Sequence, residues 1–176
     1  TGKVVFFPSS GTGCWEAALQ STLNIGDKVL GASFGQFSML WLDMCKRLQF
    51  EAITMEEEWG TGANPESYHR ELSADKNHEI KAVLVCQNET ATGVRSDVQA
   101  IRKILDDLNH PALLFVDGVS SVASYEFEMD KWGVDAIVSG SQKGFMLPAG
   151  LGILGVSQKA IASMKESNYP TCYFDV

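Results

Sequence analysis

The sequence is poor in the residues that bind metal ions or form disulfides. It contains four cysteines and three histidines in 176 residues, and the cysteines are far apart, without a C-x-x-C pair. Neither residue type has the spacing of metal ligands, so no metal site is expected. The thiols are expected to be reduced and mostly buried, as in an intracellular compartment.

Long apolar runs and excess positive charge are also missing. No run approaches the about 18 residues that mark a membrane-spanning helix. Lysine and arginine number 14 against 22 acidic residues, giving a formal net charge of −8. This balance disfavours a nucleic-acid backbone or an anionic membrane as a partner.

The length predicts one domain, large enough to bury about 70% of its unfolded surface without a disulfide or metal. The sequence begins at Thr1 without methionine and ends in the apolar run 173–176. We therefore expect a piece of a longer protein. Any targeting signal would lie outside it.

Short apolar runs alternate with helical patterns about every 30 residues, the spacing of βαβ units. This predicts an α/β fold with a mostly parallel sheet and helices on both faces. The apolar residues Phe37, Leu40, Trp41 and Met44 are spaced as one face of a helix and are interpreted as core. Strands are predicted at residues 4–7, 28–30, 51–55, 80–86, 113–116, 134–138 and 151–156, and helices after 12, around 37–48, and at 66–74 and 97–109.

Lys143 follows one of these strands, residues 134–138, after a run of small residues. The carboxyl ends of parallel strands are where open α/β sheets bind ligands. Withdrawal from water would lower the pKa of such a lysine from about 10.4 and expose a nucleophilic amine. A solvated loop lysine is the usual alternative, and the residues upstream argue against it.

Residues 9–13 (SSGTG) end the first strand and open a helix. Their glycines allow close approach of the backbone, and a helix N-terminus suits a phosphate. A plain glycine turn is the alternative. The loop is a poor dinucleotide fingerprint, because Glu16 stands where the third glycine is required.

Three further residues lie at the ends of predicted strands. Asp117 directly follows an apolar strand, where a carboxylate is costly unless a positive group or backbone amides compensate it. Thr90, in the polar turn 88–93, offers a hydroxyl, although the turn is equally typical of helix capping. Phe34 offers a flat ring to a ligand, and core packing explains it equally well.

Together, a phosphate loop, a carboxylate for a ring nitrogen, an aromatic ring and a lysine for an imine describe pyridoxal phosphate. A carboxylate facing the ring nitrogen keeps it protonated. The lysine would hold the aldehyde as a Schiff base and later move the substrate's α-proton.

Five motifs also resemble the class V aminotransferases, above all the serine–glyoxylate and alanine–glyoxylate branch of the plant photorespiratory type. The motifs are residues 10–19 (SGTGCWEAAL), 34–36 (FGQ), 88–93 (NETATG), 116–121 (VDGVSS) and 139–143 (SGSQK). The resemblance implies a fold-type-I large domain over residues 1–176, without the family's N-terminal segment and C-terminal small domain. It implies these cofactor contacts: Ser10, Gly11, Thr12, Gly13 and Gln142 to the phosphate, Phe34 on the ring, Thr90 near the ring hydroxyl, Asp117 at the ring nitrogen and Lys143 as the Schiff base.

The resemblance further implies a homodimer that transfers the amino group of serine or alanine to glyoxylate, giving glycine and hydroxypyruvate or pyruvate. It suggests a peroxisome, with the cytoplasm as the alternative. The arginine that binds the substrate carboxylate in this family would lie in the missing C-terminal domain.

Three alternatives remain. A cysteine desulfurase usually has histidine directly before the lysine, where this sequence has Gln142. A non-catalytic dimerisation or regulatory fragment would lack the visible absorbance of a bound cofactor. A dinucleotide-binding domain is disfavoured by Glu16 and Lys143.

Overall fold

The computed structural model describes residues 2–176, which contain nine strands and five helices. The strands are β1 (Lys3–Pro8), β2 (Lys28–Ser33), β3 (Glu51–Glu56), β4 (Ile80–Cys86), β5 (Asn88–Glu89), β6 (Val94–Arg95), β7 (Leu113–Asp117), β8 (Ala136–Gly140) and β9 (Leu151–Val156). The helices are α1 (Gly11–Thr22), α2 (Gln36–Arg47), α3 (Pro65–Ala74), α4 (Val98–Asp107) and α5 (Gln158–Met164).

Seven of these strands form one sheet in the order β1-β9-β8-β7-β4-β2-β3. From β8 to β3 each neighbouring pair is parallel, whereas β9 is antiparallel to both β1 and β8. Since two reversals cancel, β1 runs in the same direction as β8. All strands of this sheet except β9 therefore end at one edge, which confirms the predicted mostly parallel sheet.

Helices cover both faces of the sheet, as the sequence predicted. Leu19 of α1, Trp41 of α2 and Ala160 of α5 pack into one core cluster. Tyr68 of α3 and Ile101 of α4 belong to the cluster on the other face. All five side chains are almost completely removed from water, and such burial is the main stabilising contribution in a domain of this size.

Helix α4 shows how local sequence produces these packed elements. The Asp97 side chain accepts a hydrogen bond from the Ala100 backbone N–H and so caps the helix. Val98, Ile101 and Leu105 follow at helical spacing and are buried. One face of α4 therefore joins the core.

Helix α2 differs from the predicted pattern. Phe37 and Leu40 were predicted as core, but they are 37% and 41% exposed, while Ser38 is buried. The Ser38 hydroxyl donates to the Gly35 carbonyl and accepts from the Phe34 N–H. These bonds turn the Ser38 side chain toward the core. The buried face of α2 therefore contains Trp41 and not Phe37.

The strand before Lys143 is also shifted. It was predicted at residues 134–138 but spans Ala136–Gly140. The Asp135 carboxylate accepts from the Leu114 N–H and occupies the position at which the strand would otherwise begin. At the other end, Ser139 and Gly140 continue the ladder opposite β9.

Candidate functional site

A cavity of about 180 Å³ lies at the edge where β1, β7 and β8 end. Residues far apart in sequence meet there because the segments that follow β1, β2, β4, β7 and β8 leave parallel strands at the same edge. The lining residues are Ser10, Gly11, Thr12, Trp15, Phe37, Thr90, Asp117, Val119, Ser120, Gln142 and Lys143. Seven of the predicted site residues are thus brought together: Ser10, Gly11, Thr12, Thr90, Asp117, Gln142 and Lys143.

A larger cavity, of about 500 Å³, lies elsewhere. Its lining includes Ile80 and Leu113, the first residues of β4 and β7, so it belongs to the opposite edge of the sheet. Ligands of open α/β sheets bind at the carboxyl edge. We therefore regard the smaller cavity as the candidate site.

The N-terminus of α1 forms one wall of the cavity. Ser10 is the N-cap, yet within residues 2–176 no side chain caps this helix and its first turn has no acidic residue. Gly11 has no room for a side chain, because a Cβ there would lie 2.3 Å from Cγ2 of Val119. The positive end of the helix dipole therefore lies at the cavity with its N–H groups uncapped, an arrangement suited to a phosphate.

Asp117 ends β7 and is 5% exposed. Its Oδ1 accepts from the Val119 N–H at 2.8 Å, and its Oδ2 lies 3.6 Å from Sγ of Cys86. Burial raises the pKa of Asp117 to about 6, although both of these donors lower it. One strong donor and one weak thiol leave lone pairs of this carboxylate free for a cation.

Lys143 lies in the turn that follows β8. Its N–H donates to the Gly140 carbonyl, and its carbonyl accepts from the Met146 N–H. The buried Ser141 hydroxyl donates to the Pro148 carbonyl at 2.6 Å and anchors the turn. The sequence predicted an amine withdrawn from water, but Lys143 is exposed at the rim of the cavity, because most of residues 142–151 lie on the surface.

Thr90 reaches the site through a small hydroxyl network. Its Oγ1 donates to Oγ of Ser120 at 3.0 Å. The Asn88 amide donates to the same oxygen at 2.8 Å, and Ser120 donates in turn to the Asn88 carbonyl. Ser120 was not singled out from the sequence, although its place three residues after Asp117 put it at the same strand end.

Two predicted site residues do not line the cavity. Phe34 is fully buried and packs in the core cluster on the α3–α4 face. A Cβ at Gly13 would lie 2.0 Å from Oγ of Ser9 and 2.9 Å from Cζ of Phe174, so Gly13 faces those groups. The aromatic side chains at the cavity are Trp15 and Phe37, and the ring-stacking role predicted for Phe34 has no support in this geometry.

Glu89 is a buried carboxylate that the sequence reasoning missed. It is fully buried and accepts from the N–H groups of Phe37, Ser38 and Ala91. Two of these donors belong to the first turn of α2, so Glu89 satisfies that helix N-terminus from another segment. The turn that carries Thr90 is thereby fixed to α2.

Within residues 2–176, no three His, Cys, Asp or Glu side chains are grouped as metal ligands would be. Nor is any helix in this range long and apolar enough to cross a membrane.

Comparison with known proteins extends these observations. Serine–glyoxylate aminotransferase of Hyphomicrobium methylovorum is 61% identical over 175 residues, which cover 98% of this chain and 43% of that protein. L-aspartate–glyoxylate aminotransferase of Paracoccus denitrificans is 53% identical over 174 residues, covering 99% and 44%. The chain thus spans less than half the length of these relatives.

A solved structure shares the fold. Ureidoglycine–glyoxylate aminotransferase of Bacillus subtilis superposes with a TM-score of 0.89 at 28% identity, over 98% of this chain and 44% of that one. The sequence also matches the family described as aminotransferase class V over residues 1–175. The shared sheet, the site at its carboxyl edge and this match over nearly the whole length agree, and the chain belongs to the class V aminotransferases.

Proposed function

We propose that the protein transfers an amino group to glyoxylate, forming glycine, with serine or alanine as the donor. Serine would become hydroxypyruvate, and alanine would become pyruvate. The observation that supports this most is the joint position of Lys143 and Asp117 in one cavity with the uncapped N-terminus of α1.

Pyridoxal phosphate is the cofactor of this family, and the residues present fit it. The α1 N-terminus, with Ser10, Gly11, Thr12 and Gln142, would hold the phosphate. Asp117 would face the ring nitrogen, and Lys143 would bind the aldehyde covalently. When bound, the cofactor would supply an electron sink for the substrate's α-carbon and a carrier for the amino group.

The chain's own residues would do the remaining work. Asp117 is buried and has few hydrogen-bond donors. Its free lone pairs would therefore bind a positively charged group. Lys143, released from its covalent role, would take the α-proton of the donor and return it as general base and acid. Ser120 would orient the Thr90 hydroxyl, to which it is hydrogen-bonded.

Glyoxylate is the better supported substrate. The two relatives and the solved structure are all named for glyoxylate, whereas their donors are serine, L-aspartate and ureidoglycine. Serine is our first choice of donor, since the serine–glyoxylate relative is 61% identical. Residues 1–176 would form the cofactor-binding large domain of a homodimer, and the donor's carboxylate would be bound outside this chain.

The assignment of Lys143 can be tested by borohydride reduction of the cofactor-loaded protein. We expect a single pyridoxyl group, and peptide mapping should place it on Lys143, the lysine that lines the cavity. Lys143→Ala should abolish the adduct. Lys159→Ala, which changes a lysine bound to the Ala112 carbonyl, should leave it intact. A pyridoxyl group on Lys159 or Lys165 would refute the proposal.

A further inference from the structure

Trp15 has no role in the function proposed above, yet it lines the same cavity as Asp117. It lies in the second turn of α1 and is 3% exposed. Its ring stacks on Trp41 of α2, with centroids 5.4 Å apart and planes 13° from parallel. The position of the indole is therefore fixed by core packing between two helices.

The polar atom of this indole lacks a hydrogen-bond partner. Among residues 2–176, Nε1 of Trp15 is buried and has no acceptor with full hydrogen-bond geometry. A buried donor left unpaired costs about 1–3 kcal/mol, and buried indoles usually have a partner. The retention of such a group beside a ligand cavity therefore calls for an explanation.

Asp117 lines the same cavity and is the acceptor that we consider for this N–H. Burial raises the pKa of Asp117, and the Trp15 side chain is close enough to lower it again. The carboxylate needs donors, because it has one backbone N–H and one thiol at 3.6 Å.

We propose that Trp15 is a positioning residue whose indole N–H donates to the ionised Asp117 carboxylate and fixes the orientation of its remaining lone pairs toward the cavity. Three other titratable groups face Asp117. They are the Cys86 thiol, the Glu89 carboxylate, whose charge opposes ionisation of Asp117, and the Lys143 amine, which lines the same cavity. Of these, the thiol is a weak donor and the Glu89 charge is repulsive, so the indole would add a second strong donor to the Val119 N–H.

The catalytic consequence rests on the proposed function. A fixed, ionised carboxylate would keep the ring nitrogen of the cofactor protonated, whereas a carboxylate that rotates freely would do so less well. The coupling between Trp15 and Asp117 is a property of the protein without cofactor. The two ideas can therefore be tested separately.

The coupling can be measured by NMR on ¹⁵N-labelled protein without cofactor. The chain has four tryptophans, and their indole signals can be assigned with single Trp→Phe variants. Between pH 4.5 and 8, the Trp15 signal should shift with the ionisation of Asp117, and the shift should vanish in Asp117→Asn. A Trp15 signal that does not titrate, or that titrates unchanged in Asp117→Asn, would overturn the proposal.

Trp132 provides the control, since its ring packs edge-on against Phe127 and it does not line the cavity. In the loaded enzyme, Trp15→Phe should lower kcat about tenfold, the lower end for a hydrogen bond to a charged group. KM should stay nearly constant, and the acid limb of the pH profile should move. Trp132→Phe should stay within about twofold. Equal effects of the two variants would refute the positioning role.

The outcomes also separate this inference from the proposed function. A protein without a pyridoxyl group on Lys143, but with an indole signal that follows Asp117, would refute the function and support the coupling. If Trp15→Phe does not fold, the wild-type and Asp117→Asn spectra still decide the question.

Discussion

At the scale of single residues, the buried position of Asp117 at the site lowers the stability of the folded chain. Its carboxyl is buried, and its pKa lies near 6 instead of 3.8. Asp135 is equally buried, but it accepts from Leu114 and Ser157 and has a lysine and an arginine within 4 Å. The contrast indicates that Asp117 is kept for a ligand, since active sites commonly sacrifice stability for function.

Replacement of Asp117 by asparagine should therefore stabilise the protein without cofactor. The folded state binds the Asp117 proton more tightly than the unfolded state. The contribution of this group to the free energy of unfolding is therefore full below about pH 4 and is lost as the pH rises through about 6. Two pKa units correspond to about 3 kcal/mol. Urea unfolding should show Asp117→Asn to be more stable by up to this amount at pH 7.5, with little difference at pH 4. Turnover in the loaded enzyme should fall by orders of magnitude.

Asp135→Asn is the matched control for this measurement. Its carboxylate is paired, so its loss should lower the free energy of unfolding at pH 7.5. If Asp117→Asn is no more stable than the wild type at pH 7.5, the carboxylate is well satisfied within the protein and is not reserved for a ligand.

At the scale of elements, the helix N-termini differ in how their free N–H groups are satisfied. Side chains of Asn64, Asp97 and Ser157 cap α3, α4 and α5. Glu89 satisfies α2 from outside the helix. Among the helices described, α1 alone has neither arrangement. Its N-terminus lines the cavity, next to Phe37 of α2.

The anchoring of α2 by Glu89 can be tested by mutation. Glu89→Ala leaves the N–H groups of Phe37 and Ser38 buried without their acceptor, and we expect a loss of about 3 kcal/mol in urea unfolding. Asp97→Ala removes one exposed cap and should cost about 1 kcal/mol. Similar losses for the two variants would show that Glu89 acts only as an ordinary cap.

The same region shows which features the sequence could predict. Apolar periodicity located the seven strands of the main sheet and helices α1 to α4, but not β5, β6 or α5. The rule for parallel strands placed Asp117 and Lys143 at one edge. Periodicity could not give the rotation of α2, because that depends on the bonds of Ser38 and on Glu89, 52 residues from Phe37 along the chain. For this reason Phe37 was predicted as core. The ring-stacking role of Phe34 came from the family resemblance, whereas the structure buries Phe34 in the core.

At the scale of the whole molecule, apolar side chains are exposed next to the site. Phe145, Met146 and Leu147 follow Lys143 and are 37%, 90% and 52% exposed. Val4 and Phe6 of β1 are each 61% exposed. Exposed apolar patches of this kind commonly mark contact surfaces, which fits a chain that spans 43% of a relative's length.

We therefore expect the 176-residue chain alone to separate cofactor binding from turnover. The residues that would hold the cofactor are present, so titration with pyridoxal phosphate should show uptake in the absorbance spectrum, with reduced affinity. Transfer from serine to glyoxylate should be at least about a thousandfold below that of the complete enzyme, because positioning of the substrate carboxylate is lost. Light scattering should reveal association.

Full activity of this chain would contradict that expectation. A group within it would then hold the substrate carboxylate. Arg95, stacked over Tyr125 at 5.5 Å, would be the first residue to test. Arg102 is mostly buried and bonded to Asp106, so it is a weaker candidate.

The pairing of β1 with β9 has a consequence for biosynthesis. Lys3 lies opposite Val156, so the first strand leaves the ribosome long before its partner exists. At 5–20 residues per second, about 8 to 30 s pass before β9 is made. The apolar β1 has no sheet partner during this interval, while β2, β3 and β4 can already pair. We therefore expect the site to assemble only after β9 is made, because β9 joins β1, which leads into residues 9–13, to β8, which leads into the turn with Lys143.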